Sequence, residues 1–252
     1  MKRAIISGEV LGTFLLVFFG CGAVAGSVIF DSFGDLFAIA IIWGLGLMIA
    51  ILLAAPLSGA HLNPAISLAF CCAGELDKKH LPLYLAGQFL GAFLAATVLY
   101  LLIHEPLASY ENRIGIQRSE QGSEQTARIF GEFHSPSIST QTAALAEFLG
   151  TGLLAFVIFL LTDKRRPPFP PWFLSLAIGM TLTVLISLFA PFSMAGFNPA
   201  RDLAPRFFSS LAGWGRLPFQ VNGASWWLVY LLAPCLGAIG GGLLAKHPPT
   251  PR

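Results

Sequence analysis

The chain has 252 residues, 55% of them hydrophobic and only 11% charged, with a net charge of +2 and a mean hydropathy of +0.72. A soluble domain carries about a quarter charged residues, so this composition excludes an ordinary soluble fold and points to an integral membrane protein. The small net charge, with no basic stripe interleaved with aromatics, excludes nucleic acid as a partner.

The first 26 residues combine Lys2 and Arg3, an apolar run and Gly22-Ala23-Val24-Ala25, the outline of a secretion signal. Glu9 interrupts the run and the segment has a counterpart later in the chain, so it reads as a retained span, near 4–26. Five further stretches are long enough to cross a bilayer at about 20 residues each. They fall near 36–56, 81–103, 142–162, 171–191 and 225–246. Two shorter apolar stretches, near 63–73 and 198–210, suit re-entrant half-helices, which membranes tolerate only where protein or a water-filled cavity surrounds them. The segment 104–141 is the only long polar stretch, rich in Ser, Gln and Glu.

The halves repeat. Glu9-Val-Leu-Gly-Thr-Phe-Leu-Leu matches Glu147-Phe-Leu-Gly-Thr-Gly-Leu-Leu at six of eight positions. Each half then carries Asn-Pro-Ala, at Asn63-Pro64-Ala65 and Asn198-Pro199-Ala200, 54 and 51 residues after its glutamate. A unit of three spans inserts upside down relative to its copy, which places a site at the repeat interface near the midplane. The repeats are taken as 1–103 and 142–252, joined by the connector 104–141, all in one domain of 1–252. With both termini cytoplasmic, the inner side collects Lys2, Arg3, Lys78, Lys79, Lys164, Arg165, Arg166, Lys246 and Arg252. The outer side keeps Arg113, Arg118, Arg128 and Arg216, plus Arg201 and Arg206 in the second re-entrant segment, an inner excess as the positive-inside rule asks, and the connector is expected outside. Three pairs, Gly22/Gly26, Gly87/Gly91 and Gly237/Gly241, put small residues one turn apart, where helices approach closely. Cys21, Cys71, Cys72 and Cys235 form no Cys-x-x-Cys pair and read as packing residues, so neither a metal nor a cofactor is expected.

The chemistry concentrates at the tripeptides. Asparagine is a strong N-cap and proline suits the first helical position, so one copy is simply a good helix start. Two mirrored copies at membrane depth do more: their asparagine amides keep spare donors, and two helix N-termini make a positive region that repels cations. Arg201 follows the second tripeptide and offers fixed donors at membrane depth. Asp202 and Arg206, spaced i,i+4, read as an ion pair. Glu9 and Glu147 read as acceptors for backbone N–H groups of the loop in their own half; a proton relay lacks any intramembrane His, Lys or Asp to continue it. His61 has neither metal-ligand partners nor a nucleophile and reads as a loop residue lining the inner mouth. No nucleophile motif, Walker loop or dinucleotide fingerprint is present, so an enzyme is not expected.

Ser58-Gly-Ala-His-Leu-Asn-Pro-Ala65 and Gly196-Phe-Asn-Pro-Ala-Arg-Asp202 resemble the two signature loops of the aquaporin or major intrinsic protein family, and the resemblance covers nearly the whole chain. It implies an all-α bundle of six spans and two half-helices, one pore per subunit and a homotetramer. Asp202 directly after the arginine, Arg206 four residues on and the long connector resemble the glycerol-conducting branch. Trp43, twenty residues before Asn63, matches that branch's narrowest ring, whose other members here are Ile186, Ala195 and Arg201. Ile186 and Ala195 depart from the branch's usual glycine and aromatic, and a slip of one residue would put Ser187 or Met194 there instead. The resemblance further implies an accepting ladder of carbonyls from Gly59, Ala60, His61, Ala195, Gly196 and Phe197. The expected activity is passive conduction of glycerol, water and other small neutral solutes. The alternatives are a water-selective channel or one for urea or neutral metalloid hydroxides. The short tails suggest a bacterial inner membrane.

Overall fold

A computed structural model describes residues 1–246; Arg252, counted above on the inner side, lies outside the described residues. Ten α-helices form among them: α1 Lys2–Phe30, α2 Leu36–Ser58, α3 Pro64–Cys72, α4 Leu81–Ile114, α5 Glu124–Ala127, α6 Thr140–Leu161, α7 Pro171–Ser193, α8 Pro199–Ser209, α9 Leu217–Gln220 and α10 Ala233–Lys246. Five of the six apolar segments long enough to cross a bilayer are α1, α2, α4, α6 and α7. The sixth is Leu228–Lys246, which enters α10 through a π-helical turn at Leu228–Leu232. The predicted third span stops at 103, whereas α4 runs through Pro106 to Gly115, where a left-handed cap (φ 72°) ends it.

Local chemistry sets the ends. Asp35 caps α2 by accepting from Ala38 N–H at 2.8 Å, and Ser139 caps α6 by accepting from Thr142 N–H at 3.1 Å. Pro56 in α2 and Pro191 in α7 each stand two residues before a serine that ends the helix, Ser58 and Ser193. Each proline removes one helical N–H, so the helix stops where the loop toward the tripeptide must begin.

The packing repeats as the sequence does. In the first half α1 packs on α2 and α4; in the second, α6 packs on α7 and on α10. The halves meet along α2 and α7, and each half-helix crosses over: α3 packs on α10, and α8 on α4. Two glycine pairs serve matching contacts. A Cβ at Gly91 would fall 2.5 Å from Val10 O of α1, and one at Gly237 or Gly241 would run into the carbonyls of Phe148 and Gly152 of α6. Gly22 and Gly26 act differently, since a Cβ there would meet only the side chains of Leu99 and Phe33. Helix association in lipid depends on such close approach, because the bundle gains nothing by hiding leucines from an equally apolar solvent. The outer surface is accordingly apolar, with Leu101, Leu153, Leu188, Leu236 and Leu244 exposed.

The connector is folded onto the bundle. Arg118 hydrogen-bonds Glu111 (2.9 Å), Tyr100 Oη (2.8 Å) and the Ala212 carbonyl (2.9 Å), and lies 4.1 Å over the Trp214 ring. Ile129 and Phe130 are fully buried beyond it. This anchoring carries the segment 131–134 into the centre of the second half.

Candidate functional site

Two buried carboxylates hold two loops in the same way. Glu9 Oε1 accepts from Ser58 Oγ (2.6 Å) and His61 N–H (3.0 Å), while Oε2 accepts from Leu62 N–H (2.7 Å). Glu147 Oε1 accepts from Ser193 Oγ (2.7 Å) and Gly196 N–H (2.8 Å), while Oε2 accepts from Phe197 N–H (2.6 Å). The serines in turn accept from Ala60 N–H and Ala195 N–H. The repeated Glu-x-x-Gly also gains a reason: Gly12 leaves room for the Leu62 side chain and Gly150 for the Phe197 ring, both of which a Cβ would strike.

These clamps hold costly backbone. Ala60, Leu62, Ala195 and Phe197 all have φ between 52° and 58°. A non-glycine residue in that left-handed region costs about 1–2 kcal/mol, and each carboxylate hydrogen bond contributes about as much in return. Gly59 (φ 85°) opens the first loop, and Met194 (φ 69°) opens the second.

At the loop tips the two tripeptides meet. Asn63 Oδ1 caps α3 by accepting from Ala65 N–H (2.9 Å), and its amide donates to the Phe197 carbonyl (2.8 Å). Asn198 Oδ1 caps α8 through Ala200 N–H (3.0 Å), and its amide donates to the Leu62 carbonyl (2.8 Å). An amide nitrogen has two donors, so each asparagine keeps one N–H free. Both asparagines line a cavity of about 530 Å³, together with Gly59, Ala60, His61 and Gly196. Among the described residues no group donates to the carbonyls of Gly59, Ala60, His61, Ala195 or Gly196. The Phe197 carbonyl, by contrast, already receives Asn63, and Leu62 holds the matching place in the other loop. His61 stacks between Tyr84 (4.5 Å) and Phe70 (4.7 Å), with Nδ1 3.1 Å from Ser67 Oγ.

Trp43, Ile186, Ala195 and Arg201 line the same cavity. The neighbouring candidates turn elsewhere: Ser187 Oγ donates to Thr183 O, and Met194 Sδ accepts from Arg128. Trp43 lies flat on Gly20, where a Cβ would enter its ring. The Arg201 guanidinium sits 4.3 Å over the Trp43 ring centroid and is ion-paired with Glu132. Its Nη1 is buried and has no hydrogen-bond partner among the described residues. Arg201 and Glu132 are each only 3% exposed. Asp202 Oδ1 accepts from Glu132 N–H (2.7 Å) and Arg206 Nη2 (2.8 Å), and Oδ2 accepts from Arg206 Nε (2.9 Å). Arg206 also donates to the carbonyls of Glu132 and Pro218. The Asp202–Arg206 pair is therefore the buried bracket that fixes Glu132 against Arg201.

Sequence reasoning missed Glu132, Leu62, Gln88, Tyr84 and Tyr230 as parts of this centre. Gln88 Nε2 donates to Glu9 (2.7 Å), and the two tyrosine hydroxyls donate to the carbonyls of Ser58 and Ser193. One signal was available for Glu132: Ile129-Phe130-Gly131-Glu132-Phe133 is an apolar island inside the polar connector. Among the described residues no group of three or more His, Cys, Asp or Glu side chains could hold a metal ion.

The site thus gathers apolar side chains, Arg201 and asparagine N–H donors around one cavity, with free carbonyls along the loops. Known proteins resemble the chain in sequence and fold. The family model "Major intrinsic protein" matches residues 1–245. A glycerol uptake facilitator protein of Pseudomonas aeruginosa is 39% identical over 252 aligned residues, covering 96% of this chain and 89% of that protein. Aquaporin-9 of Homo sapiens is 35% identical over 94% of this chain and 79% of its own length. Among solved structures, the aquaglyceroporin from Plasmodium falciparum superposes with a TM-score of 0.86 at 30% identity, covering 97% of this chain and 95% of that one. A six-span inverted repeat with two crossed half-helices, matched from end to end by these relatives, makes this multi-pass membrane protein a member of the major intrinsic protein family.

Proposed function

We propose that the protein is a passive channel that conducts glycerol and other small neutral solutes, with water, and performs no chemical reaction. One observation carries this reading: a single cavity is lined by the apolar Trp43 and Ile186, by Arg201 stacked on Trp43, and by the two asparagines with their spare donors. A polyol has carbons along one side and hydroxyls along the other, so it suits a wall of each kind. Trp43, Ile186, Ala195 and Arg201 form the narrowest ring in this reading. Asn63 and Asn198 donate to each passing oxygen, and the carbonyls of Gly59, Ala60, His61, Ala195 and Gly196 accept from its hydroxyls. Phe197 contributes less as an acceptor, because Asn63 already occupies its carbonyl, as Asn198 occupies that of Leu62. The two half-helix N-termini and the Arg201 cation exclude cations and protons.

The relatives named as glycerol facilitators and aquaglyceroporins support glycerol over water alone. Resemblance to the family supports a homotetramer, and the inner excess of Lys and Arg supports cytoplasmic termini. The bacterial relatives fit a bacterial inner membrane, and the sequence repeat supports units of 1–103 and 142–252 about the connector. The test is stopped-flow light scattering on purified protein in liposomes, with glycerol, urea and water gradients compared. Glycerol flux well above that of empty liposomes, saturating weakly and unaffected by uncouplers, is the expected result. Water flux without glycerol flux would replace the assignment with a water-selective channel.

A further inference from the structure

The link between α6 and α7 combines cations, prolines and aromatic rings, and only its first cations, Lys164 and Arg165, also border the cavity. Every residue from Lys164 to Phe173 is exposed, in the order Lys-Arg-Arg-Pro-Pro-Phe-Pro-Pro-Trp-Phe. Its three cations stand at one end. The Lys164, Arg165 and Arg166 side chains are 86%, 62% and 56% exposed. Its three aromatic residues stand at the other, with Phe169 5.2 Å and Trp172 5.9 Å from Phe173 by ring centroids, and Trp172 62% exposed.

Position says what this end of the link must meet. Trp172 and Phe173 are the second and third residues of α7, a membrane-crossing helix that begins at Pro171. They therefore sit where hydrocarbon gives way to headgroups, the depth that tryptophan rings favour. Four prolines stiffen the link, and Pro170 is held at φ −54°, ψ 139°, so the cations and rings are presented in one arrangement at little entropic cost.

Charge supplies the rest. Asp163 accepts from Arg165 Nε at 2.9 Å, and that hydrogen bond holds its carboxyl down to about 2, so it stays ionised. Arg166 reaches the same carboxylate only at 3.8 Å and makes no side-chain hydrogen bond among the described residues. Among the described residues Lys164 pairs only with Glu75, at 3.7 Å, and that carboxylate also serves Lys246 at 3.3 Å. Three cations thus share one carboxylate fully and a second in part, which leaves positive charge within a few residues of exposed aromatic rings. We propose that Lys164–Phe173 is a docking surface for anionic phospholipid headgroups, with Arg165 and Arg166 on the phosphate and Trp172 and the phenylalanines among the upper acyl carbons. A free phosphate would use the arginines and leave the rings idle, whereas a lipid uses both.

The test counts lipids bound to the full-length purified protein by native mass spectrometry, with phosphatidylglycerol and phosphatidylcholine of identical acyl chains added in turn. Phosphatidylglycerol should bind in preference, and Arg165→Gln with Arg166→Gln should weaken it by about fivefold for each arginine, about 25-fold together. Trp172→Ala should weaken both lipids. Lys78→Gln with Lys79→Gln is the control, because Glu75 places that turn at the same end of the bundle and no such aromatic group adjoins it. Thermal midpoints in detergent confirm that each variant is folded. Equal loss in the lysine control would reduce the effect to general positive charge and overturn the site. So would an unchanged preference in the arginine variant, or inorganic phosphate at millimolar concentration displacing the lipid completely.

Discussion

The first half of the molecule and the second are built on one plan, yet only the second sets buried charges of both signs around its loop. Each has a glutamate clamp, a serine relay, a tyrosine on the serine carbonyl and an asparagine tip reaching into the other half. Around Glu9 the remaining groups are neutral: Gln88, Ser67 and His61. Beside the Glu147 loop stand Arg201, Asp202, Arg206 and Glu132, all buried. The connector explains the difference. It delivers Glu132 to the second half, so the buried Arg201 has its partner there. The two halves form a symmetric frame, and the connector between them breaks that symmetry on one side.

The sharpest break of the symmetric part is Glu9→Ala against Glu147→Ala. The first leaves two backbone N–H groups without an acceptor, Ser58 Oγ with only the Ala54 carbonyl at 3.5 Å and Gln88 Nε2 with only Ser67, and the second leaves Ser193 Oγ and two backbone N–H groups. At about 1–3 kcal/mol for each unsatisfied buried donor, both should cost on the order of 5 kcal/mol and abolish recovery of folded protein. Thermal unfolding in detergent measures it. Loss confined to one variant would mean that the two clamps are not equivalent supports.

The asymmetric part is tested next. Glu132→Ala leaves Arg201 a buried cation without its partner, which should cost about 3–5 kcal/mol and let the guanidinium shift into the opening. Gln88→Ala removes a neutral donor in the first half and should cost about 1 kcal/mol. The decisive reading is the glycerol-to-water flux ratio in liposomes, altered at least severalfold by Glu132→Ala and unchanged by Gln88→Ala. An altered ratio in both would place selection in the whole frame instead of one half.

What the sequence made legible follows this same division. The spans, the half-helices and the clamps were readable because each leaves a local or repeated mark: apolar length, Asn-Pro at a helix start, a glutamate copied at matching distance. Arg201, Asp202 and Arg206 were readable from their place after the second tripeptide. The partners that arrive from distant parts of the chain were not. Glu132 lies 69 residues before Arg201, and nothing in its spacing says that Arg118, stacked on Trp214, will pin the connector inward. Leu62 was passed over because its role belongs to its carbonyl, and backbone roles leave no residue-type signature. The glycine pair Gly22/Gly26 looked like Gly87/Gly91, yet only the latter meets another helix backbone, since small residues permit close approach without requiring it.

The smallest effect gives the finest comparison. Tyr84 and Tyr230 hold the carbonyls of Ser58 and Ser193, and each hydroxyl is the third group that fixes its serine. Tyr84→Phe and Tyr230→Phe should each cost about 1 kcal/mol, the net worth of one hydrogen bond. Their effects on conduction should differ. Tyr84 stacks against His61, in a loop whose clamp Gln88 reinforces, so losing its hydroxyl leaves the loop supported. Tyr230 lies 5.4 Å beneath the Arg206 guanidinium and 3.2 Å from the site of a Cβ on Gly196. It therefore braces the selective loop and the charged bracket at once. Tyr230→Phe should change the glycerol-to-water ratio measurably and Tyr84→Phe should not; equal ratios in the two variants would show that the bracket of Asp202, Arg206 and Glu132 holds the ring without help from the sixth span.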